Sequence, residues 1–325
     1  LPVALKHLGE IDSSIAQIYS SIANAYSCLA EYDKSLEHFE KELEIRLVVH
    51  GPYHKTVGVI YSNKSTHYQN TGDIETAIDY AEKALEVAQQ NPDKNYENLA
   101  QAHFNFASVS GDMGKSYVAI DHYERALALL LAHIGEQHWL AADTYNDIAT
   151  VCIDVRDHGK ALGYALKSLA LNKDMYGETH LKTATSHHNI AECYRELFNV
   201  NQYYFHSRKS LRITQQIPDN QHPLLAAIYS SSSLNFLNNG HLDSALYYGK
   251  KSLSIRQEKL GNSHFLTASS YRRVGQCYLR MQEYSKAIEA FRKSLELWLS
   301  AMGKTHPRTS LAHTQLALAL SLIHI

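Results

Sequence analysis

The chain has few of the residues and segments that mark several large classes of protein. Only four of its 325 residues are cysteine, at positions 28, 152, 193 and 277, and none of them has C-x-x-C spacing. A disulfide framework or a zinc site is therefore not expected, and a reducing, cytoplasmic location fits the composition. No stretch is long and apolar enough to predict a membrane-spanning helix.

The sequence also has no marked excess of charge and no linker. The 31 Lys and Arg residues against 33 Asp and Glu give a formal net charge of −2, so we expect neither nucleic acid nor an acidic membrane as a partner. No segment rich in proline, glycine or serine divides the chain, although its length exceeds the size at which one compact core normally stops growing. We therefore predict one extended array over residues 1–325.

A short motif repeats along the chain at a fixed interval. Gly-x-x-His recurs every 42 residues, as Gly51…His54, Gly135…His138, Gly177…His180, Gly261…His264 and Gly303…His306, and Asp93…Tyr96 and Asp219…His222 keep the same register. A period of this length is typical of a solenoid, in which each unit buries its apolar face against its neighbours. The predicted units lie near residues 12–53, 54–95, 96–137, 138–179, 180–221, 222–263 and 264–305, with a partial unit at 306–325.

Each unit has the hydrophobic pattern of two helices, which we call A and B. Counting from the landmark His or its equivalent, the eleventh position of helix A is small in every unit: Ala23, Ser65, Ala107, Ala149, Ala191, Ser233, Gly275, Ala317. Helix B has a small residue at Ala77, Ala119, Ala161, Ala245 and Ala287, and a leucine series predicted to be its buried stripe: Leu43, Leu85, Leu127, Leu169, Leu211, Leu253, Leu295. The motif glycine is expected to end helix B in the left-handed conformation, and Pro307 suits the first turn of a helix A. The predicted fold class is all-α, built from antiparallel helix pairs.

This combination resembles the tetratricopeptide repeat, which places an aromatic, a small residue and a tyrosine in helix A and an alanine and an aromatic in helix B. The 42-residue length, the linkers Tyr176–His180 and Met302–Pro307, and the segment Asn189–Ala191 resemble more specifically the kinesin light chain variety. The resemblance implies a right-handed superhelical solenoid that acts as a non-enzymatic scaffold. It would bind a peptide or a partner helix in its concave groove.

In the resembled family, helix A lines the concave surface and an asparagine holds the backbone of the ligand. The corresponding positions here include Asn63, Asn105 and Asn189, whose amides can donate and accept hydrogen bonds at once. The same stripe becomes acidic at Asp143, Asp147 and Glu192 and basic at Arg272, Arg273 and Arg280, which predicts a bipolar groove. The alternative is that the amides cap or bridge adjacent helices and that the charges only solvate a helix face.

No catalytic, metal or cofactor site is predicted. His180, His187 and His188 are close in sequence, but the first is a linker landmark and the second occupies an aromatic position of helix A. The serines at 230–233 have no nucleophile-elbow glycines, and the chain has no phosphate loop or dinucleotide fingerprint. We therefore expect the protein not to be an enzyme and to have no cofactor.

Two other functions fit the same repeat pattern. The array could be the ligand-sensing, regulatory part of a larger signalling protein with a nucleotide-binding, kinase or protease domain, or it could be a peptide-responsive bacterial regulator. In every case the predicted partner is a protein or a peptide. Because the last helix is apolar on all sides and an array needs a polar cap, we also expect further domains of the same polypeptide beyond Ile325.

One unit breaks the pattern. Tyr203 occupies the alanine position of helix B in the fifth unit, and Leu197–Asn199 replaces the glycine turn before it. We expect this helix B to be displaced or lengthened at its start, either as a kink of the array or as a binding site.

Overall fold

The computed structural model describes residues 11–28, 31–91, 95–217 and 223–322, and α-helix is the only regular secondary structure within these ranges. The chain divides into two compact units, residues 1–140 and 141–325, each of which is described by itself. The helices are α1 (Ser13–Cys28), α2 (Tyr32–His50), α3 (Lys55–Thr71), α4 (Ile74–Gln90), α5 (Tyr96–Asp112), α6 (Ser116–His133), α7 (Trp139–Asp154), α8 (His158–Tyr176), α9 (Leu181–Glu196), α10 (Val200–Gln215), α11 (Pro223–Asn238), α12 (Leu242–Leu260), α13 (Phe265–Arg280), α14 (Tyr284–Met302) and α15 (Pro307–Ser321).

The helices follow the 42-residue period. Odd-numbered helices correspond to helix A, and α3, α9 and α15 begin at the residue directly after their landmark histidine. Every residue of the leucine series lies in an even-numbered helix. Within a pair the helices are antiparallel, since Ser65 of α3 donates a hydrogen bond to the carbonyl of Ala77 in α4 while the earlier Tyr61 contacts the later Tyr80. The predicted all-α fold of helix pairs is therefore confirmed.

The recurring motif builds the connection between pairs. The histidine caps helix A, because its Nδ1 accepts a hydrogen bond from the backbone N–H two residues later; this occurs at His54, His138, His180, His264 and His306. In three linkers a threonine three residues after the histidine donates to the carbonyl of the motif glycine: Thr183, Thr267 and Thr309. The motif is therefore explained by its structural role in the turn.

The conformation of the motif glycine differs from the prediction. Gly51, Gly177 and Gly261 have φ of 80°, 85° and 87°, as expected, but their ψ values are 171°, 178° and 168°. This region is far from left-handed α and is essentially restricted to glycine. The extended ψ directs the chain away from helix B, whereas Gly72, between the two helices of a pair, has the left-handed φ of 87° and ψ of 4°.

The buried stripe of helix B also differs in detail. Only Leu127, Leu169 and Leu295 of the leucine series are nearly buried, and the others are half-buried. The residue before each leucine is at most 4% exposed: Glu42, Ala84, Ala126, Ser168, Ser210, Ser252, Ser294. Three of these serines, Ser210, Ser252 and Ser294, donate hydrogen bonds of 2.8, 2.7 and 2.8 Å to helix A carbonyls of their own pair. The most deeply buried positions of helix B are therefore these residues, small in every case except Glu42, and the leucines lie at their edge.

The small positions are fully buried in both helices, apart from Ala317. This alanine is exposed in α15, because no helix B follows that helix within the described residues to cover it.

The prediction that helix B of the fifth unit is displaced or lengthened at its start was wrong. Helix α10 begins at Val200, in register with α8 at His158, and Tyr203 fits the alanine position at 8% exposure. Phe198 takes the positive φ of 57° in the turn, as Arg156 and Gln282 do at the equivalent positions of two other units, where the remaining turns have Gly72, Gly114 and Gly240.

The substitution Gly275→Ala tests how closely a helix pair packs. A Cβ at Gly275 would lie 2.7 Å from the fully buried ring of Phe291, so we expect the substitution to lower the free energy of unfolding by about 1–3 kcal/mol. Gly163→Ala is the control, because this glycine lies in α8 with no atom near its Cβ position. We expect it to raise stability by about 0.4–1 kcal/mol. Urea unfolding of both variants measures the difference, and changes of the same sign would contradict the packing described here.

Candidate functional site

The predicted site residues are of three chemical kinds: amides, carboxylates and arginines. Asn63 and Asn105 lie in unit 1, and all the others lie in unit 2. In unit 1, Asn63 of α3 and Asn105 of α5 line the same cavity. The Asn105 carbonyl accepts a 2.8 Å hydrogen bond from Gln101, whereas the Asn63 amide has no hydrogen-bond partner among the described residues. Both side chains line the cavity, and the Asn63 amide has its full hydrogen-bonding capacity available.

Asn189 in unit 2 has a different environment. It is 6% exposed, and its Nδ2 lies 2.9 Å from Asn146 Oδ1 and 3.1 Å from Thr150 Oγ1, both on α7. The amide therefore bridges two successive A helices, as in the structural alternative for the asparagine positions. Asn63 and Asn189 occupy equivalent positions of the repeat, yet of the two only the Asn63 amide has no hydrogen bond within the described fold.

The acidic residues of the predicted groove have counter-ions within unit 2. Lys182 Nζ lies 2.6 Å from both carboxylate oxygens of Asp143. Arg195 donates to Glu192 at 2.9 and 3.2 Å and also contacts Glu196 at 2.6 Å. Asp147 accepts a long hydrogen bond of 3.4 Å from Asn146 Nδ2. These neighbours reduce the negative potential that the sequence predicted for this part of the surface.

Unlike Asp143 and Glu192, the arginines of the predicted groove form no ion pair among the described residues. Arg272 and Arg273 lie next to each other on α13, and no carboxylate forms an ion pair with either of them in the described part of the chain. Desolvation by the surrounding protein, with the charges of Arg273 and Arg308, lowers the pKa of Arg272 to about 10. Arg273 is 8% exposed and donates a 2.8 Å hydrogen bond to Gln276, and its buried Nε has no partner. Arg280, at the end of α13, is exposed.

The structure adds two cations that the sequence pattern did not identify. Arg308 on α15 and Arg256 on α12 are each within electrostatic range of Arg272, and the pKa of Arg256 is lowered to about 10, mainly by burial. Neither residue lies at the repeat positions used to define the groove, so only the packing of the helices indicates their proximity. We call Arg272, Arg273, Arg280 and Arg308 the arginine surface.

The two predicted ends of the bipolar groove are close to each other. Glu192 and Arg195 are within electrostatic range of Arg273. Arg308 is likewise within electrostatic range of Asp154. The surrounding protein raises the pKa of Asp154 by desolvation, and Arg308 partly offsets this. Glu192 and Asp154 therefore lie near arginines, whereas the electrostatic neighbours of Arg272 are themselves cations.

Other features of the described residues give no indication of a reaction centre. They contain no group of three or more His, Cys, Asp or Glu side chains that could hold a metal ion. Cys152, Cys193 and Cys277 are buried and form no disulfide among the described residues. Burial raises the pKa of the Cys193 thiol to about 12, so this thiol is not activated as a nucleophile. None of the described helices is long and apolar enough to cross a bilayer.

Comparison with protein families identifies the repeat. A tetratricopeptide repeat model matches residues 56–132, 140–201 and 266–324, and a second tetratricopeptide repeat model matches residues 15–54. The chain belongs to the tetratricopeptide repeat family. Tetratricopeptide repeats typically form surfaces for protein–protein interaction. No curated protein matches the chain significantly.

Several solved structures match this chain at low sequence identity. Aspartyl phosphate phosphatase F from Bacillus subtilis matches with a TM-score of 0.66 and 17% identity, covering 93% of this chain and 75% of that one. A Rap protein complexed with Competence and Sporulation Factor matches with a TM-score of 0.58 and 11% identity, covering 96% and 99%. A putative kinesin light chain from Podosopora anserina matches with a TM-score of 0.45 and 14% identity, covering 64% and 98%.

Proposed function

We propose that this tetratricopeptide repeat protein is a non-enzymatic scaffold that binds a peptide or a partner helix on its A helices. In unit 2 the arginine surface would hold an acidic segment of the ligand. The observation that carries the proposal is a group of three arginines: Arg273 and Arg308 both lie within electrostatic range of Arg272, and none of the three forms an ion pair among the described residues.

A protein cation that only stabilises the fold usually has a carboxylate or a set of backbone carbonyls nearby. Glu192 and Asp154 offset part of the repulsion at Arg273 and Arg308, but the electrostatic neighbours of Arg272 are all cations, so an anionic ligand would stabilise it directly. Arginine also favours bidentate hydrogen bonds with carboxylates. The ligand class that best fits is therefore a peptide segment with clustered Asp or Glu residues.

A further observation supports a groove within unit 2. Asp154 at the end of α7 and Arg308 at the start of α15 influence each other electrostatically although three helix pairs separate them in sequence. Their proximity implies that the A helices of this unit face a shared space.

The substitution Arg308→Glu tests the proposal. Arg308 is exposed at the start of α15, so reversing its charge should leave the fold intact while it removes an attraction and adds a repulsion. We expect the affinity for fluorescein-labelled acidic peptides, measured by anisotropy against basic and neutral peptides of equal length, to fall about tenfold or more. The affinity of the unchanged protein should also fall as salt rises.

Arg292→Glu is the matched control, because it changes the net charge by the same amount at an exposed position of α14. It should change acidic-peptide affinity less than twofold. Equal losses in the two variants would indicate non-specific attraction, and a protein that binds basic and acidic peptides alike would contradict the proposal. The regulatory alternative would use the same surface and differ in what the bound peptide controls.

A further inference from the structure

Unit 1 contains a cavity of about 350 Å³ between α3, α4 and α5. Its volume is within the range of pockets that bind small ligands or single side chains, about 300–1,000 Å³. Gly58, Ala84, Val87, Ala88 and Ala102 provide an apolar floor. The polar side chains on its walls are Ser62, Asn63, Thr66, Asn91, Asn98, Gln101 and Asn105, and Lys55 and Trp139 are exposed lining residues.

The 42-residue repeat explains why the cavity exists. At the position of Ala88 the other units have larger residues: Arg46, Leu130, Asn172, Thr214, Arg256 and Trp298. These side chains occupy the seam next to helix B. Asn172 donates a 2.9 Å hydrogen bond to Ser186 of the next helix A, Arg256 does the same to Ser270 at 3.0 Å, and Leu130 is fully buried. In the second unit the side chain ends at Cβ, and the seam stays open.

A second small residue lines the same cavity. Gly58 of α3 occupies a position where the preceding and following units have Ala16, Ala100 and Ala142. A Cβ there would lie 3.2 Å from Val87 Cγ1. Since two neighbouring positions are reduced in the same unit, the cavity follows from local sequence choices at the seam of this unit.

The polar wall suits a neutral hydrogen-bonding group. The Asn63 amide has no partner among the described residues, and Asn105 uses its carbonyl for Gln101. Together they offer a donor pair and a free acceptor, which an amide group of a ligand would match. The ammonium group of Lys55 disfavours a cationic ligand, and no carboxylate lines the cavity to compensate one.

We propose that this cavity binds a neutral side chain with an apolar stem and an amide head, such as glutamine, from a peptide ligand. The stem lies on the floor of Gly58, Ala84 and Ala88, and the head exchanges hydrogen bonds with Asn63 and Asn105. The proposal rests on the proposed peptide-binding function, but it assigns a distinct contact in unit 1 that does not involve the arginine surface.

The experiment uses capped tripeptides, acetyl-Ala-X-Ala-amide, with X as Gln, Leu or Lys. Trp139 lines the cavity and is 44% exposed, whereas Trp298, the other tryptophan of the chain, is 1% exposed. Tryptophan fluorescence therefore reports binding, and Trp139→Phe identifies the part that arises at the cavity. We expect Gln to bind more tightly than Leu, and Lys to bind least.

Ala88→Leu fills the cavity with the residue that the next unit has at the same position, Leu130. We expect the variant to melt at or above the temperature of the unchanged protein and to lose the Gln tripeptide by about tenfold or more. Ala128→Leu is the control, since this alanine is exposed on α6, and it should bind as before. Asn63→Ala is a second variant, which should remove the preference for Gln over Leu while the stem still binds.

The outcomes separate this inference from the proposed function. If Ala88→Leu binds the Gln tripeptide unchanged, or if the three tripeptides bind alike, the cavity is not the side-chain site. Loss of acidic-peptide binding in Arg308→Glu with the Gln preference retained would support both proposals, because the two surfaces would then act independently. Absence of any tripeptide signal, with acidic peptides still bound, would overturn the cavity inference alone.

Discussion

Ala161→Leu is expected to lower the free energy of unfolding by about 1–3 kcal/mol. Ala161 is completely buried in α8, at the small-residue position of helix B. A leucine there adds three carbon atoms to a seam without free space, so the helices must separate or the side chain must leave its preferred rotamer. Ala119→Leu in α6, also at 0% exposure, should behave in the same way.

Ala170→Leu provides the matched control for this prediction. It makes the same chemical change on the same helix at an exposed position, where surface substitutions usually change stability by less than about 0.5 kcal/mol. Urea unfolding followed by circular dichroism measures both variants. If Ala161→Leu and Ala170→Leu unfold at the same urea concentration, the faces of helix B have been assigned incorrectly.

The second large effect is a loss of stability in mild acid, caused by two buried histidine pairs. His187 and His206 have their Nδ1 atoms 2.9 Å apart, and His103 and His122 have theirs 3.2 Å apart. Burial, followed by the partner histidine, lowers the pKa of His103 and of His187 to about 4. Each pair is therefore neutral in the folded protein at neutral pH.

The sign of the effect follows from where the protons bind. Below pH 6.5 an unfolded chain protonates these histidines, and the folded protein does not do so until the pH approaches 4. Stability is fully present above pH 6.5 and falls as the pH decreases toward the folded pKa. For each of His103 and His187 we expect a loss of about 2 kcal/mol between pH 7 and pH 5.

A double substitution isolates one pair from the other histidines. Tyr145 and Tyr164 occupy the equivalent positions of the preceding unit, with their ring centroids 5.8 Å apart, so His187→Tyr with His206→Tyr follows a pair that this chain already accommodates. The variant should lose about 2 kcal/mol less than the unchanged protein between pH 7 and pH 5 in urea unfolding. An identical pH dependence in both proteins would show that the pair binds protons equally well in the folded and the unfolded chain, which would contradict the prediction.

The repeat and its helix pairs could be predicted from the sequence because they depend on spacing. A 42-residue period in small residues and landmark histidines specifies where helices begin and which faces pack, and the observed helix boundaries follow it. The family could be predicted for the same reason. Details that depend on backbone torsions were less accessible, since the sequence indicates a glycine but not that Gly51 and Gly177 combine a positive φ with an extended ψ.

The sequence by itself therefore determined the repeat, the helix pairs and the stripe of candidate residues, because these depend on positions along one chain. Only the tertiary structure decided which of those residues are available. Asn63 and Asn189 are equivalent in the repeat, but packing against α7 occupies the second. Asp143 has Lys182 as a counter-ion, while Arg272 meets Arg308 from a distant helix. The physical reason is that hydrogen bonds and charges depend on distances between helices, which the period of the sequence does not specify.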